Sequence, residues 1–389
     1  MDKSAGRESC LSTRKLKSVT IGGSIDQCVN EALIPGLPDD LALICLAKIS
    51  HGFLGVLECV CKRWRDVIRS EEYAFYKSRM GRCGDWLFVF MHENDRSRHW
   101  KAYDPEADSW HPIPPMPRGN KLTGFSCVSV CNRLLVIGGF CLNYHHNGEI
   151  SSTNQVLSFD PYRQEWSEVA SMSTGRANFA CSVICGKVFV GGGYSSAGYY
   201  KYNTPSSLRS YNPISSAEVY DPVKDRWDEL PTMPRPWDRC FGVSYNNKFY
   251  IMSEVDPNNM DIFSVHDRQW CSRRDVRKTQ KQARGRILVI NDHLYTIIKN
   301  SVQTVNIETG DWNHVGPVPA VTLLHPFVCS LRNKLYVIED IDPHQPDHLV
   351  RQRTLRFCDL STTRLQWETS MFPSVHSVRT WASLEECLR

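Results

Sequence analysis

A short turn segment that closes on a tryptophan recurs along the chain. Three copies are similar in sequence: YDPEADSW ends at Trp110, FDPYRQEW at Trp166 and YDPVKDRW at Trp227. Weaker copies end at Trp270, Trp312 and Trp367. The copies are spaced roughly 40–60 residues apart, which is typical of arrays in which each repeat forms one β-sheet. One such sheet cannot bury both of its faces alone, so the copies must stack on one another.

A regular strand pattern precedes each tryptophan. The runs FSCVSV and FACSVI alternate apolar and polar residues, which is typical of half-buried strands. Gly138-Gly139 and Gly191-Gly192-Gly193 close the second strand of two units, where glycine permits positive φ and close backbone approach. Each unit is therefore predicted to be a four-stranded sheet with its tryptophan in the wedge between neighbours. Six units predict a mainly β protein with a six-bladed β-propeller.

The first unit begins abruptly with WLFVF at Trp86 and lacks its innermost strand. The segment SVRTWASLEE, which follows the last unit, resembles the missing piece. We therefore predict that residues about 377–385 pair with the first unit. This pairing would close the ring and leave no long open strand edge.

Residues 33–80 have a helical pattern instead. Pro38 followed by Asp39 and Asp40 predicts a helix start, because acidic residues stabilise the first turn of a helix. Apolar stripes at helical spacing then predict three short helices. A unit of this size has a small core. Much of its apolar surface is therefore expected to need a partner.

The strand, double-glycine and tryptophan pattern resembles the kelch repeat over about residues 85–389. Units four to six have lost the double glycine and carry Met252-Ser253, Ile297-Ile298 and Ile338-Glu339 in its place. The spacing LPDDL…VCKRW in residues 33–80 is similar to the F-box motif. Together the two halves resemble the plant F-box/kelch proteins. The resemblance implies a six-bladed kelch propeller preceded by a three-helix F-box module.

In that family the F-box binds a Skp-type adaptor, and through it a cullin ligase core, while the propeller holds a target for ubiquitin transfer and proteasomal degradation. The resemblance implies an adaptor-binding surface, with some of its residues instead holding the helices together. The candidates are Leu37, Pro38, Leu41, Ile44, Leu46, Ile49, Leu57, Val60 and Trp64. An ordinary helical hairpin packed on the propeller is the alternative. Several plant members act on phenylpropanoid and flavonoid enzymes such as chalcone synthase, and the resemblance extends to that target class.

Target binding is expected on the loops of the propeller. The longest insertions follow second strands, at Cys141 to Asn154, Ser195 to Ser215 and Ile341 to Gln352, on the rim that also carries the loops joining the units. Arginine and aromatic side chains there suit an acidic protein surface. The candidates are Arg118, Arg176, Arg235, Trp237, Arg239 and Tyr194. Two interpretations of Arg118 and Arg176 stay open, since they could instead pair within the repeat.

Composition argues against several other classes. A net charge of +4 over 389 residues does not indicate nucleic-acid binding, and no apolar run approaches the ~18 residues of a membrane span. Residues 1–32 are basic and serine-rich without the apolar core of a secretory signal, so we expect a disordered tail. The 16 cysteines then indicate reduced thiols and a location in the cytoplasm, the nucleus or both.

An enzyme and a structural scaffold are the rival functions. A kelch copper oxidase would need tyrosine and histidine ligands, but His92, His145, His293 and His325 show no ligand spacing. Nucleophile-elbow, P-loop and HExxH motifs are absent from the sequence. We therefore expect no catalytic residue, metal or cofactor, and a cytoskeletal kelch binder remains as the other rival. The segment from Ser272 to Arg286 carries seven Lys/Arg against one Asp, which indicates a solvated loop or a patch for an acidic partner.

Overall fold

The structure is a computed structural model. It describes residues 32–79, 85–92, 98–117, 122–142, 150–197, 211–253, 259–274, 287–298, 300–319, 327–338, 354–362, 364–372 and 377–384. The predicted tail at 1–32, apart from its last residue, and the basic segment beyond residue 274 lie outside these ranges.

The N-terminal part is a helical module of short helices. Its elements are α1 (Asp39–Ala47), a 3-10 turn (His51–Phe53), α2 (Leu54–Glu58), α3 (Lys62–Ile68) and α4 (Glu71–Arg79). The sequence predicted three helices, and the structure has four α-helices in this module. The second apolar stripe, Leu54 to Trp64, is divided between α2 and α3, and the third, Val67 to Tyr76, is divided between α3 and α4. The Ser70 hydroxyl accepts a hydrogen bond from the Tyr73 N–H (3.1 Å), so a serine cap starts a new helix there.

The module has its own core, and residues of the VCKRW segment hold it together. The Trp64 indole Nε1 donates to the Leu33 carbonyl at 2.7 Å, and the Leu33 N–H donates to Asp39 Oδ1 at 2.7 Å. The Tyr73 hydroxyl donates to the Leu46 carbonyl at 3.3 Å. These bonds fix the segment before α1 against α3 and satisfy backbone groups that a short helical unit would otherwise leave open.

The rest of the described chain contains six four-stranded antiparallel sheets, the blades of a propeller. Blade one consists of β29 (Ser377–Leu384), β1 (Trp86–His92), β2 (Arg98–Asp104) and β3 (Ser109–Pro112); blade two of β5 (Ser126–Val130), β6 (Arg133–Ile137), β9 (Val156–Asp160) and β10 (Glu165–Val169). Blade three consists of β11 (Ala180–Ile184), β12 (Lys187–Gly191), β15 (Ala217–Asp221) and β16 (Arg226–Glu229); blade four of β17 (Cys240–Tyr245), β18 (Lys248–Ser253), β19 (Asn259–Ser264) and β20 (Gln269–Arg274). Blade five consists of β21 (Leu288–Ile290), β22 (His293–Ile298), β23 (Ser301–Val305) and β24 (Trp312–Pro317); blade six of β25 (Phe327–Leu331), β26 (Lys334–Ile338), β27 (Thr354–Asp359) and β28 (Trp367–Met371). The innermost strands contact one another in a closed ring.

Blade one closes the ring. The strand predicted at about 377–385 is β29, and it pairs antiparallel with β1, with Phe88 opposite Ala382 and Val89 opposite Trp381. Successive residues of β1 enter different cores, because side chains alternate along a strand. Phe88 packs with blade two, whereas Val89 packs with blade six. The cores therefore lie between blades, so each blade is stabilised by its neighbours.

The repeated tryptophans are half-buried and bridge the blades with hydrogen bonds. Trp166 Nε1 of blade two donates to the Pro114 carbonyl after blade one at 2.9 Å, and Trp227 Nε1 donates to the Ala170 carbonyl at 2.8 Å. Trp110 Nε1 donates to Met371 of blade six at 3.0 Å. Tryptophan suits this place because it joins a large apolar ring to a single donor.

The double glycines allow the backbone of a joining loop to contact the end of a second strand closely. Gly138 and Gly139 have φ of 60° and 107°. The Gly139 N–H donates to the Arg176 carbonyl at 2.8 Å, and a Cβ on Gly138 would lie 2.5 Å from that oxygen. In blade three the Gly193 N–H donates to the Trp237 carbonyl at 2.9 Å. The glycines are therefore required both by backbone conformation and by space.

The insertions of blades two and three, expected to be loops, contribute to a five-stranded accessory sheet. Its order is β14 (Tyr211–Pro213), β13 (Tyr194–Ala197), β8 (Ile150–Ser152), β7 (Phe140–Leu142) and β4 (Leu122–Thr123). The sequence did not predict it, because each strand is short and the two insertions are joined by the pairing of β8 with β13. The third insertion, Ile341 to Gln352, lies outside the described residues.

Candidate functional surfaces

The propeller has two unlike faces. Short turns join first to second and third to fourth strands, and they meet on the turn face, where Asn132 Nδ2 donates to the Tyr162 hydroxyl at 3.2 Å. Insertions and blade-joining loops meet on the opposite loop face. There the Met172 N–H of a joining loop donates to the Asn154 carbonyl at the base of an insertion (2.9 Å).

The helical module contacts the turn face. Ser50 Oγ donates to Asp104 Oδ2 at 2.6 Å, and the Phe53 ring meets His111 edge-on with centroids 5.9 Å apart. Glu71 of α4 lies 3.9 Å from Arg163 of blade two. The loop face is therefore directed away from the module.

Large exposed apolar side chains are concentrated on the module. Among the described residues, five of the eight such side chains lie on the module: Leu41, Phe53, Val56, Val60 and Phe75. The other three, Val223, Val315 and Met371, lie on different blades of the propeller. Val56 is 65% exposed and Val60 57%. Exposed apolar residues on so small a unit indicate a surface that binds another protein. The sequence prediction did not include Phe53, Val56 or Phe75. For Val56 the sequence did contain an indication, because it lies four residues before the predicted Val60.

The nine predicted adaptor-binding residues fall into three groups. Pro38, Leu41 and Val60 are exposed, Leu37, Ile44, Ile49 and Trp64 are half-buried, and Leu46 and Leu57 are buried. The first group is available to a partner. Leu46 and Leu57 pack in the core of the module, so their contribution is to hold the helices together.

Arg176, predicted as a target-binding residue, is completely buried in blade three. Its guanidinium donates to Glu218 Oε1 at 2.6 Å, and to the Gly192 and Ser216 carbonyls at 3.2 and 3.0 Å. Burial lowers the pKa of the guanidinium, and the bond to the Glu218 carboxylate opposes this. The prediction of a partner contact is wrong for Arg176, because its donors are directed into the blade. Arg176 instead pairs within the repeat, which was the other interpretation of its sequence position.

Trp237 occupies the same place in blade four and is also buried. Its Nε1 donates to Asp261 Oδ2 at 2.6 Å. Arg235 reaches the same carboxylate at 3.0 Å and lies 4.9 Å above the Trp237 ring. Trp237 therefore cannot contact a target in this conformation, which corrects the prediction. The Arg235 side chain is one-third exposed and can.

The remaining predicted loop residues differ in exposure. Tyr194 is buried, stacks on Phe140 with centroids 6.4 Å apart, and donates to Asp238 Oδ2 at 3.3 Å. Burial also raises the pKa of its hydroxyl to about 12. Because the side chain is enclosed, the predicted target contact is wrong for it too. Arg239 is exposed. Arg118 lies outside the described residues.

Each described cysteine is a free thiol. No three His, Cys, Asp or Glu side chains in the described ranges are grouped so that they could hold a metal ion. None of the described helices combines the length and apolar character needed to cross a membrane.

Family comparisons agree with both halves of the chain. The sequence matches the F-box domain over residues 34–76 and the Kelch motif over residues 121–173 and 175–234. F-box/kelch-repeat protein At1g16250 of Arabidopsis thaliana is 39% identical over 395 residues, covering 92% of this chain and 99% of the relative. F-box/kelch-repeat protein At1g67480 of the same plant is 33% identical over 245 residues, covering 62% of this chain and 61% of the relative. F-box/kelch-repeat protein SKIP30, also from Arabidopsis, is 31% identical over 272 residues, covering 68% and 71%.

The solved structure of YjhT has the same fold, with a TM-score of 0.51 at 15% identity, covering 69% of this chain and 90% of that one. Fold and module together define a propeller protein of kelch repeats that carries an F-box. The chain belongs to the F-box/kelch-repeat proteins known from plants. It thus combines a module of the type that binds Skp-type adaptors with a propeller of the type that binds protein targets, the two parts of a substrate adaptor.

Proposed function

We propose that the chain is the target-recognition subunit of a Skp–cullin–F-box ubiquitin ligase, acting in the cytoplasm, the nucleus or both. The observation that carries the proposal is the separation of two surfaces. Exposed apolar residues such as Leu41 and Val60 lie on the helical module, and the module is attached to the turn face. A Skp-type adaptor, and a cullin core beyond it, would bind there while the loop face is left for a target.

The chain supplies no catalytic group to ubiquitin transfer in this proposal. It holds a target beside a charged conjugating enzyme and so raises the effective concentration of the target's lysines. Purified chain without the ligase core is therefore expected to transfer no ubiquitin. Turnover by the chain alone would contradict the proposal.

Adaptor binding is tested with Leu41→Asp combined with Val60→Asp in the full chain. Both side chains are exposed, so the fold should survive, while a charge at the centre of an apolar interface weakens binding by on the order of 100-fold. Val223→Asp is the matched control, because Val223 is an 89% exposed valine in a turn of blade three. Titration calorimetry with a purified Skp-type adaptor measures the difference. Equal affinities for all three proteins would show that the adaptor does not bind through Leu41 and Val60, and no binding by any of them would overturn the proposed adaptor function.

The same variants serve as baits for target identification. The wild-type bait should recover adaptor, cullin and target, whereas the double variant should recover only the target. A bait that never recovers adaptor or cullin, but retains cytoskeletal partners, would favour a scaffold instead.

For the target we propose a protein with an acidic surface, bound through loop-face arginines such as Arg235 and Arg239. Phenylpropanoid and flavonoid enzymes, chalcone synthase among them, are proposed on family resemblance. Purified chalcone synthase is the probe. Binding that Arg235→Gln and Arg239→Gln weaken would support this target class, and no binding at micromolar concentration would remove chalcone synthase as a target.

A further inference from the structure

Blade one differs from its neighbours at the aspartate that ends the third strand. Asp104 Oδ1 accepts the backbone N–H groups of Glu106 and Ala107 at 2.9 and 3.2 Å, a turn cap found in several blades. The other oxygen, Oδ2, accepts the Ser50 hydroxyl of the helical module at 2.6 Å. The carboxylate is only 2% exposed, so its bond to Ser50 is made away from water.

In blades two and three the equivalent oxygen is used inside the blade. Asp160 Oδ2 lies 3.3 Å from the Arg133 guanidinium, and Asp221 Oδ2 lies 3.0 Å from Lys187 Nζ. Both basic residues begin the second strand of the same sheet. In blade one this carboxylate oxygen therefore bonds to the helical module, whereas in blades two and three it pairs with the second strand of its own blade.

The residue after the repeated tryptophan shows the same difference. In blade one it is His111, whose ring stacks on the buried Trp86 with centroids 5.5 Å apart and planes 14° apart. The backbone of Gly52 also lies so close to this ring that a Cβ on Gly52 would overlap it. Phe53 adds an edge contact. The equivalent residues of the other blades are all exposed: Ser167, Asp228, Cys271, Asn313 and Glu368.

From these two differences we infer that Asp104 and His111 form a docking seat that fixes the F-box module at one angle to the propeller, and that Gly52 is its positioning residue. The seat would set the direction in which the loop face presents a target to the ligase core. This role rests on the proposed function, whereas the rigid contact does not. Precise placement of reacting partners is worth large factors in rate, so a loose seat should slow transfer without weakening either binding step.

Gly52→Ala tests the seat, with Gly55→Ala as its control. Gly55 belongs to the same module, and a Cβ there meets nothing within 4 Å. Spin labels are attached in the full chain through non-natural residues that replace the exposed Glu72 of the module and Lys224 of the propeller. Labelling through cysteine would not be selective, because the chain has 16 cysteines. Electron resonance should give one narrow distance distribution for the wild type and for Gly55→Ala, and a broadened or shifted one for Gly52→Ala. His111→Ser removes the ring that Gly52 and Phe53 contact and should broaden the distribution as well.

A second measurement uses the chain's own lysines as the ubiquitin acceptor in a reconstituted ligase. Gly52→Ala should bind the Skp-type adaptor like the wild type, yet modify the wild type's preferred lysine about tenfold more slowly. Identical distance distributions for Gly52→Ala and Gly55→Ala would overturn the seat. Altered distances with unaltered ubiquitin sites would overturn its positioning role. If the wild type binds no adaptor, the proposed function fails while the distance result still decides the seat.

Discussion

Blades three and four fill the same buried place with different chemistry. Blade three uses a buried ion pair, Arg176 with Glu218, and blade four uses an indole, Trp237, with Asp261. In blade three the cation is fully enclosed, whereas in blade four the cation, Arg235, stands at the surface and reaches inward. These two blades therefore share an acid on the third strand and a donor on the joining loop, and they differ in the kind of donor. Of these two arginines, a partner can reach only Arg235 of blade four.

The largest effect is expected from Arg176→Met. It leaves the Glu218 carboxylate buried without its cation, which costs roughly 3–5 kcal/mol. Arg226→Met in the same blade is the control, because the Arg226 pair with Asp228 is exposed and should contribute below about 1 kcal/mol. Guanidinium denaturation followed by tryptophan fluorescence measures both.

A second substitution separates lost charge pairing from lost packing. Glu218→Gln, added to Arg176→Met, removes the unpaired charge but keeps an oxygen for the N–H groups of Ser173 and Thr174. It should recover on the order of 2 kcal/mol. No recovery would mean that the cavity, rather than the charge, dominates.

Trp237→Phe should have a smaller effect. The ring still fills the site, and Asp261 still accepts hydrogen bonds from Ser272 (2.6 Å) and Arg235. The loss of one of several donors should cost about 1–2 kcal/mol. A loss equal to that of Arg176→Met would show that the two blades depend on their donors equally.

Arg235→Gln should affect stability least, by about 1 kcal/mol, because the glutamine amide can still donate and the buried Asp261 retains the Trp237 and Ser272 donors. Its effect should appear in target binding instead, since this arginine is accessible on the loop face. Arg176→Lys should leave the affinity for the target unchanged in the folded protein, because its ammonium group is enclosed in blade three. If neither variant alters target affinity, the loop-face arginines are not the contact.

The sequence was informative where structure depends on local pattern. The repeat, the helical module and the strand β29 all follow from spacing and strand character around single segments. The direction of Arg176 does not, because its partner Glu218 lies 42 residues later in another strand. A signal was present, since Glu218 and Asp261 are acids within otherwise apolar third strands, and such an acid needs a buried donor. The accessory sheet had no comparable signal, because its strands are short and the insertions of two repeats are joined by the pairing of β8 with β13.

The pairing of β29 with β1 also determines when the protein can finish folding. During synthesis β1 leaves the ribosome roughly 300 residues ahead of its partner, an interval on the order of 15 to 60 s at ordinary translation rates. For that time blade one presents an open strand edge, and the seat for the module stands on an incomplete sheet. The nascent chain is thus expected to need chaperone protection during this interval, and a newly made chain becomes competent to place a target only after its last blade has been translated.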